Sequence, residues 1–334
     1  MKKRPKFVVI GGGTGTYTVL TGLRDFPVDL TAIVSMFDSG GSSGRLRDEF
    51  GILPPGDVRQ ALLALSKLPV DKLILRQLLD YRFNNGIGLK GHSFGNLLLT
   101  ALTGITGRID LAIAEAAKIL DVQGRVLPVS LDNCHLCARL EDGTIIKGET
   151  NIDIRRVRPE LKILDVFLDP PAKIFSGAKK VILEADLIIL GPGDLYTSTI
   201  PNLLVEGMPQ ILAKSKANIF YICNLMTKYG ETQNFAVSDF IKEIQRYLGP
   251  AAKKLKKVLV NNYWRVPKNL LVRYYQEKSY PVKYDRKNCQ KLGAEIVSLP
   301  LVSSGQLLRH NASKLAKAIL NLVEYFYEKN YYPY

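Results

Sequence analysis

A chain of 334 residues, 46% hydrophobic and 23% charged, has an ordinary globular composition and enough apolar material for one large α/β domain. Its net charge of +15 calls for an anionic partner. No stretch reaches the roughly 18 uncharged apolar residues that span a membrane, and the basic start, 1–7, enters a strand without a cleavage site, so a cytoplasmic protein is expected.

The apolar run 7–10 stops at Gly11, Gly12 and Gly13 and resumes with helical period at Val19, Leu20 and Leu23, which predicts strand, glycine turn and helix. Glycines let backbone N–H groups approach an anion, and a helix start adds unpaired N–H groups. Gly11, Gly12, Gly13, Thr14 and Gly15 therefore read as a phosphate cradle, with a plain βα turn as the alternative. A second run, 30–37, ends at Asp38, the position at which a dinucleotide fold grips a ribose hydroxyl, and opens a second small-residue loop, 39–44. Thr16 stands where the last glycine of G-x-G-x-x-G belongs, so the NAD fingerprint is not met. The two loops read together as one phosphate-sized site.

Pro54, Pro55 and Gly56 mark a turn, and Val58, Leu62 and Leu65 an amphipathic helix. Asp57 reads both as the cap of that helix and as a carboxylate beside the phosphate site, able to hold magnesium. The run 97–102, apolar except for Thr100, predicts a central helix that carries His92, Ser93, Gly95 and Asn96 to the heart of the molecule. Backbone groups and a ligand are both open as partners of His92 and Asn96. Segment 124–156 alternates with period two and predicts an antiparallel meander inserted into a single domain, 1–334, with 155–173 as the return connection. Cys134 and Cys137 form a C-x-x-C, but residues three apart on a strand face opposite ways and no second pair completes a zinc site.

The parallel pattern resumes with run 187–190, which enters Gly191, Gly193, Asp194 and the hydroxyl-rich stretch 196–199. Two further strands end at Asn224 and Thr227 and at Ser303, Ser304 and Gly305. Residues 241–290 hold 13 basic and 3 acidic residues, Lys253, Lys254, Lys256 and Lys257 among them, and read as a solvated helix face, with phosphate attraction and weak nucleic-acid affinity as the alternatives. Arg309 reads as a bidentate phosphate ligand or as a helix-flanking surface arginine, and Asn311 as the cap of a last helix. Five strands thus end in loops of Gly, Ser, Thr, Asn or Asp, and in an open parallel sheet such ends share the edge where ligands bind. The expected fold class is α/β: a Rossmann-like, mostly parallel sheet flanked by helices, with an inserted antiparallel β meander.

GGGTGTYTVLTGL, DSGGSSGRLRDEFGILPPGDVRQALLALS, GHSFGNLLLTAL, GPGDLYTSTIPNLL, CNLMTKYGET and LLRHNASKLA follow one another over residues 6–320. With them the chain resembles the YvcK-type gluconeogenesis factors, relatives of CofD, the 2-phospho-L-lactate transferase of coenzyme F420 synthesis. The resemblance implies a nucleotide in the cleft. YvcK-type members are associated with UDP-sugars, notably UDP-N-acetylglucosamine, with carbon metabolism and with cell shape; CofD-type members transfer phospholactate to a deazaflavin with magnesium. It also implies pyrophosphate contacts at Gly12, Gly13, Thr14, Gly15, Ser42, Ser43 and Gly44, and acidic positions at Asp38 and Asp57, the candidate catalytic and magnesium-binding residues. Asn96, Gly191, Gly193, Tyr196, Ser198, Asn224 and Arg309 would line the remaining wall. Ser39, in the same cradle, stands where the family commonly has a second acid, and Asp194 replaces the usual serine of Gly-Pro-Gly-Ser. The leading expectation is a nucleotide-sugar-binding regulator with a protein partner; a CofD-like transferase is the alternative, and nucleic acid is not expected. The aromatic tail 324–334 fits cover for a neighbouring subunit in a homodimer or for its own chain.

Overall fold

The computed structural model describes residues 4–67, 73–263, 266–305 and 307–323; the tail 324–334 lies outside them. The strands are β1 (Lys6–Gly11), β2 (Asp29–Val34), β3 (Arg125–Pro128), β4 (His135–Leu140), β5 (Ile145–Lys147), β6 (Ile163–Asp169), β7 (Leu187–Leu190), β8 (Asn218–Ile222), β9 (Leu255–Asn261), β10 (Glu295–Leu299), β11 (Val302–Ser304) and β12 (Leu308–His310). The first seven helices are α1 (Gly13–Leu23), α2 (Gly41–Phe50), α3 (Gly56–Leu65), α4 (Leu73–Asp80), α5 (Phe94–Thr106), α6 (Ile109–Ile119) and α7 (Glu149–Asp153).

Seven parallel strands make the main sheet in the order β10-β9-β8-β7-β1-β2-β3. Phe7, Val8, Val9 and Ile10 are buried without alternation, as are all four residues of β7, because helices cover both faces. From β1 the chain steps outward through β2 to β3, then returns to the other side of β1 at β7 and steps outward to β10. That reversal leaves a crevice between the carboxyl ends of β1 and β7, the place where open α/β sheets bind ligands.

The antiparallel sheet has the order β5-β4-β6 and spans His135–Asp169 rather than 124–156. The stretch Arg125–Pro128 alternates because it is the edge strand β3 of the main sheet, paired in parallel with β2. The expected return connection contains β6, the third strand of the meander, which pairs with β4. Cys134 and Cys137 are buried free thiols at the start of β4.

Helix α5 is peripheral, not central: only Gly95, Asn96 and Leu99 are buried. Its apolar length suits a surface because the hydroxyls of Thr100, Thr103 and Thr106 return to the carbonyls of Asn96, Leu99 and Leu102 at 2.9, 2.7 and 2.8 Å. The lysine cluster is not on a helix face either. Lys253 and Lys254 end the 3-10 turn Gly249–Lys254, and Lys256 and Lys257 open β9, at the sheet edge opposite the crevice. Among the described residues no helix is long and apolar enough to cross a membrane.

Candidate functional site

The crevice begins where β1 gives way to α1. Gly12 precedes the helix in extended conformation and Gly13 takes φ +62°, a left-handed geometry suited to glycine. Close approach explains the neighbouring glycines: a Cβ on Gly12 would sit 2.3 Å from Asp57 Oδ2, and one on Gly15 2.0 Å from the Pro192 carbonyl oxygen. The N-terminus of α1 therefore lies against both the start of α3 and the loop after β7. Asp57 is not the cap of α3, which begins at Gly56; its Oδ1 instead accepts the Gly13 N–H at 2.8 Å. Asp38, past the end of β2, accepts the Gly40 N–H at 2.8 Å.

These loops enclose a cavity of about 350 Å³ lined by the glycine turn 12–15, Ser35, Asp38, Asp57, Glu149, Asp153, Gly193, Asp194, Thr197 and Ser198. Five carboxylates thus face one phosphate-sized space, although the whole chain is strongly basic. Burial, together with the charge of Asp38, pushes Asp57 up to about 7 despite the Gly13 hydrogen bond and Arg59. Burial, then Asp38 and Asp153, pushes Glu149 up to about 8. Such crowding marks a place short of positive charge.

One lysine answers part of that need. Lys228, beyond β8, donates to Asp153 and to Asp194 (2.7 Å) and pairs with buried Glu231 at 3.1 Å. Burial opposes its charge, but Glu231, Asp194 and Asp153 together hold the ammonium above the usual lysine range. Asp153, Asp194 and Glu231 are close enough to share a cation, and Lys228 already serves as theirs. Asp38, Asp57 and Glu149 make no ion pair among the described residues and are the carboxylates left to hold a metal.

A second lobe of about 190 Å³ opens on the other side of Thr14, Gly15, Gly193 and Asp194. Asn224, Leu225, Met226, Tyr274, Leu308, Arg309 and His310 complete it. Asn224 donates to the Gly193 carbonyl at 2.8 Å and so fixes the loop that divides the lobes. The hairpin β11–β12 carries exposed Arg309, which makes no ion pair among the described residues, to the rim. His310 is buried beside it; burial lowers it to about 4, so its ring is neutral, and its Nε2 has no hydrogen-bond partner in the protein. An aromatic ring, a few apolar side chains and isolated polar groups are the lining of a small organic moiety, whereas the first lobe suits phosphate and cation.

The family model of 2-phospho-L-lactate transferase CofD matches residues 7–302. The gluconeogenesis factor of Halalkalibacterium halodurans is 44% identical over 320 residues, covering 95% of this chain and 96% of that protein. The gluconeogenesis factor of Bacillus subtilis is 40% identical over 328 residues, covering 97% and 100%. The chain belongs to the CofD-like gluconeogenesis factor family. A crystallised Bacillus halodurans protein superposes on this family member with a TM-score of 0.89 at 44% identity, covering 95% of this chain and all of that one.

In this gluconeogenesis factor relative, Gly12, Gly13, Thr14, Gly15, Asp38, Asp57, Gly193 and Ser198 line the first lobe, and Asn224 and Arg309 the second. The other candidates stand behind the walls. Ser42 and Ser43 lie buried in α2, where Ser42 Oγ meets His92 Nδ1 at 3.1 Å and accepts the Ser93 N–H at 3.4 Å, and Ser43 Oγ accepts from Asn96 Nδ2 at 3.4 Å. This network holds the second loop in place; Gly44 belongs to it through close approach to the Ser39 carbonyl, and Ser39 Oγ accepts the Thr150 N–H at 3.0 Å. Gly191, with φ +71°, forms the turn after β7, and buried Tyr196 points its hydroxyl to Glu243, away from the cavity. The sequence reading missed Glu149, Asp153, Lys228, Glu231 and Tyr274. The first two come from the inserted meander, and nothing in its alternation signals that its short helix returns to the crevice.

Proposed function

We propose that this gluconeogenesis factor relative binds a nucleotide-sugar of the UDP-N-acetylglucosamine type across the two lobes and acts as a regulatory protein of carbon metabolism. The single observation that supports this most is the two-lobed cleft at the β1/β7 switch: a glycine-walled, acid-lined lobe for a pyrophosphate and its cation, joined at Gly193 to a lobe with Tyr274 and Arg309 for an organic group. The names of the Halalkalibacterium and Bacillus relatives support the gluconeogenic role. The residues present fit a magnesium ion, since Asp57 and Glu149 are pushed toward neutrality by burial and by mutual crowding that a cation would relieve. Asp38, Asp57 and Glu149 would hold it, and it would offset the repulsion between these carboxylates, which have no ion pair among the described residues, and the phosphate oxygens.

The acid-lined lobe also favours a second reading, a CofD-like transfer of a phospholactyl group to a deazaflavin, because positioning and charge neutralisation are the main needs of such a step. Calorimetric titration with UDP-N-acetylglucosamine and with GDP, each with and without magnesium, separates the two. Saturable UDP-sugar binding without turnover is the expected result. Magnesium-dependent GDP binding with no response to the UDP-sugar would replace the regulator by the transferase.

A further inference from the structure

We propose that the groove beside β5 is a docking surface for an extended, acidic, apolar-anchored segment of a partner protein, and that α7 couples this surface to the cleft. The groove encloses about 570 Å³ between β5, α7 and the chain that follows. Ile145, Ile154 and Val157 line it and are 58%, 61% and 60% exposed, so three large apolar side chains stand in one concavity without cover.

The backbone of β5 is open on the same side, since β5 is the edge of its sheet. Leu140 donates to the Thr144 carbonyl and Gly148 to the Leu136 carbonyl, both at 2.8 Å, a register in which residues 144, 146 and 148 face β4. Ile145 therefore turns its N–H and C=O outward, where an added strand meets them. Lys147 and Arg156 line the groove and no carboxylate does. Lys147 is paired with Asp169 of β6 at 3.3 Å, whereas Arg156 makes no ion pair among the described residues and is the rim charge left for a partner. That selects a segment bearing Asp or Glu, and it disfavours a second copy of a +15 chain.

Helix α7 is the partition between groove and cleft. Thr150 and Asn151 line the groove, while Glu149 and Asp153 line the first lobe. The Thr150 N–H is bound to Ser39 Oγ, in the second loop of the cradle, and Asn151 Nδ2 donates to the Lys147 carbonyl of β5 at 2.8 Å. A cation or phosphate that draws on Glu149 therefore pulls on the short helix whose Thr150 and Asn151 line the groove. The coupling rests on the nucleotide-sugar reading; the docking surface does not.

Selection of displayed peptides of about ten residues on the ligand-free full chain, with Arg156→Glu as counter-selection, tests the surface. Enriched peptides should alternate Ile, Leu or Val with Asp or Glu, and should bind Arg156→Glu and Ile154→Asp about tenfold or more weakly. Circular dichroism and retained UDP-N-acetylglucosamine binding verify that both variants fold. Enrichment of basic or uncharged peptides, or equal affinity for Arg156→Glu, overturns the proposal. So does sedimentation showing a dimer that Ile154→Asp dissolves, since a second copy then fills the groove. Saturating UDP-N-acetylglucosamine should change peptide affinity about fivefold or more. Unchanged affinity while calorimetry shows the sugar nucleotide bound overturns the coupling; no sugar-nucleotide binding by the wild type overturns the functional reading instead, and the peptide selection still decides the surface.

Discussion

Arg309 sits exposed on a hairpin rim with no ion pair among the described residues, so folding does not depend on its charge. Arg309→Glu should abolish nucleotide binding in calorimetry while the melting temperature of the ligand-free protein stays nearly unchanged; a large loss of stability would make the residue structural. Asp57 offers the opposite case. Its carboxyl is raised from 3.8 to about 7 in the folded chain, so the folded state holds the proton more tightly than the unfolded one. The stability this contributes is full below about pH 4 and disappears as pH rises through 7. Asp57→Asn keeps an acceptor for the Gly13 N–H and removes the buried charge. It should therefore stabilise the ligand-free protein by about 1 kcal/mol at pH 8, with no gain at pH 4, read from paired denaturant titrations. The same substitution should remove any magnesium dependence of nucleotide binding.

At the scale of elements, α1 and the loop after β7 are held in contact by the missing side chain of Gly15. Gly15→Ala should push them apart, costing about 1–3 kcal/mol in chemical denaturation and weakening ligand binding at both lobes together, because Gly15 lines both. Strand ends of this kind are legible in sequence: apolar runs that stop at Gly, Asp or Asn declare both the parallel sheet and the edge that binds. The second loop was legible as a unit but not in its division of labour. Ser42, Ser43 and Asn96 look like ligand contacts in a linear motif, yet they form the buried network that supports the loop, a distinction that depends on which face of α2 meets α5. The acids of α7 were hidden for a different reason. Period-two alternation reports that a segment forms strands, and says nothing about where the turn after them is folded back.

For the whole molecule, the uneven charge sets the basic cluster apart from the acid-lined cleft, which composition alone merges. The lysines at 253–257 lie at the start of β9, and the cleft at the ends of its neighbours. The seven residues of β9 place them about 20 Å apart, roughly two Debye lengths at physiological salt. Replacing Lys253, Lys254, Lys256 and Lys257 by glutamine should leave nucleotide affinity within about twofold at that ionic strength, as calorimetry would read it. The reversal of strand order at β1 has a consequence for biogenesis. Because the cleft needs the turn at residues 12–15 after β1, Asn224 after β8 and Arg309 from the separate hairpin β11–β12, its walls come together only once that hairpin has been made. Whatever is held by both walls therefore steadies the finished fold and not the nascent one.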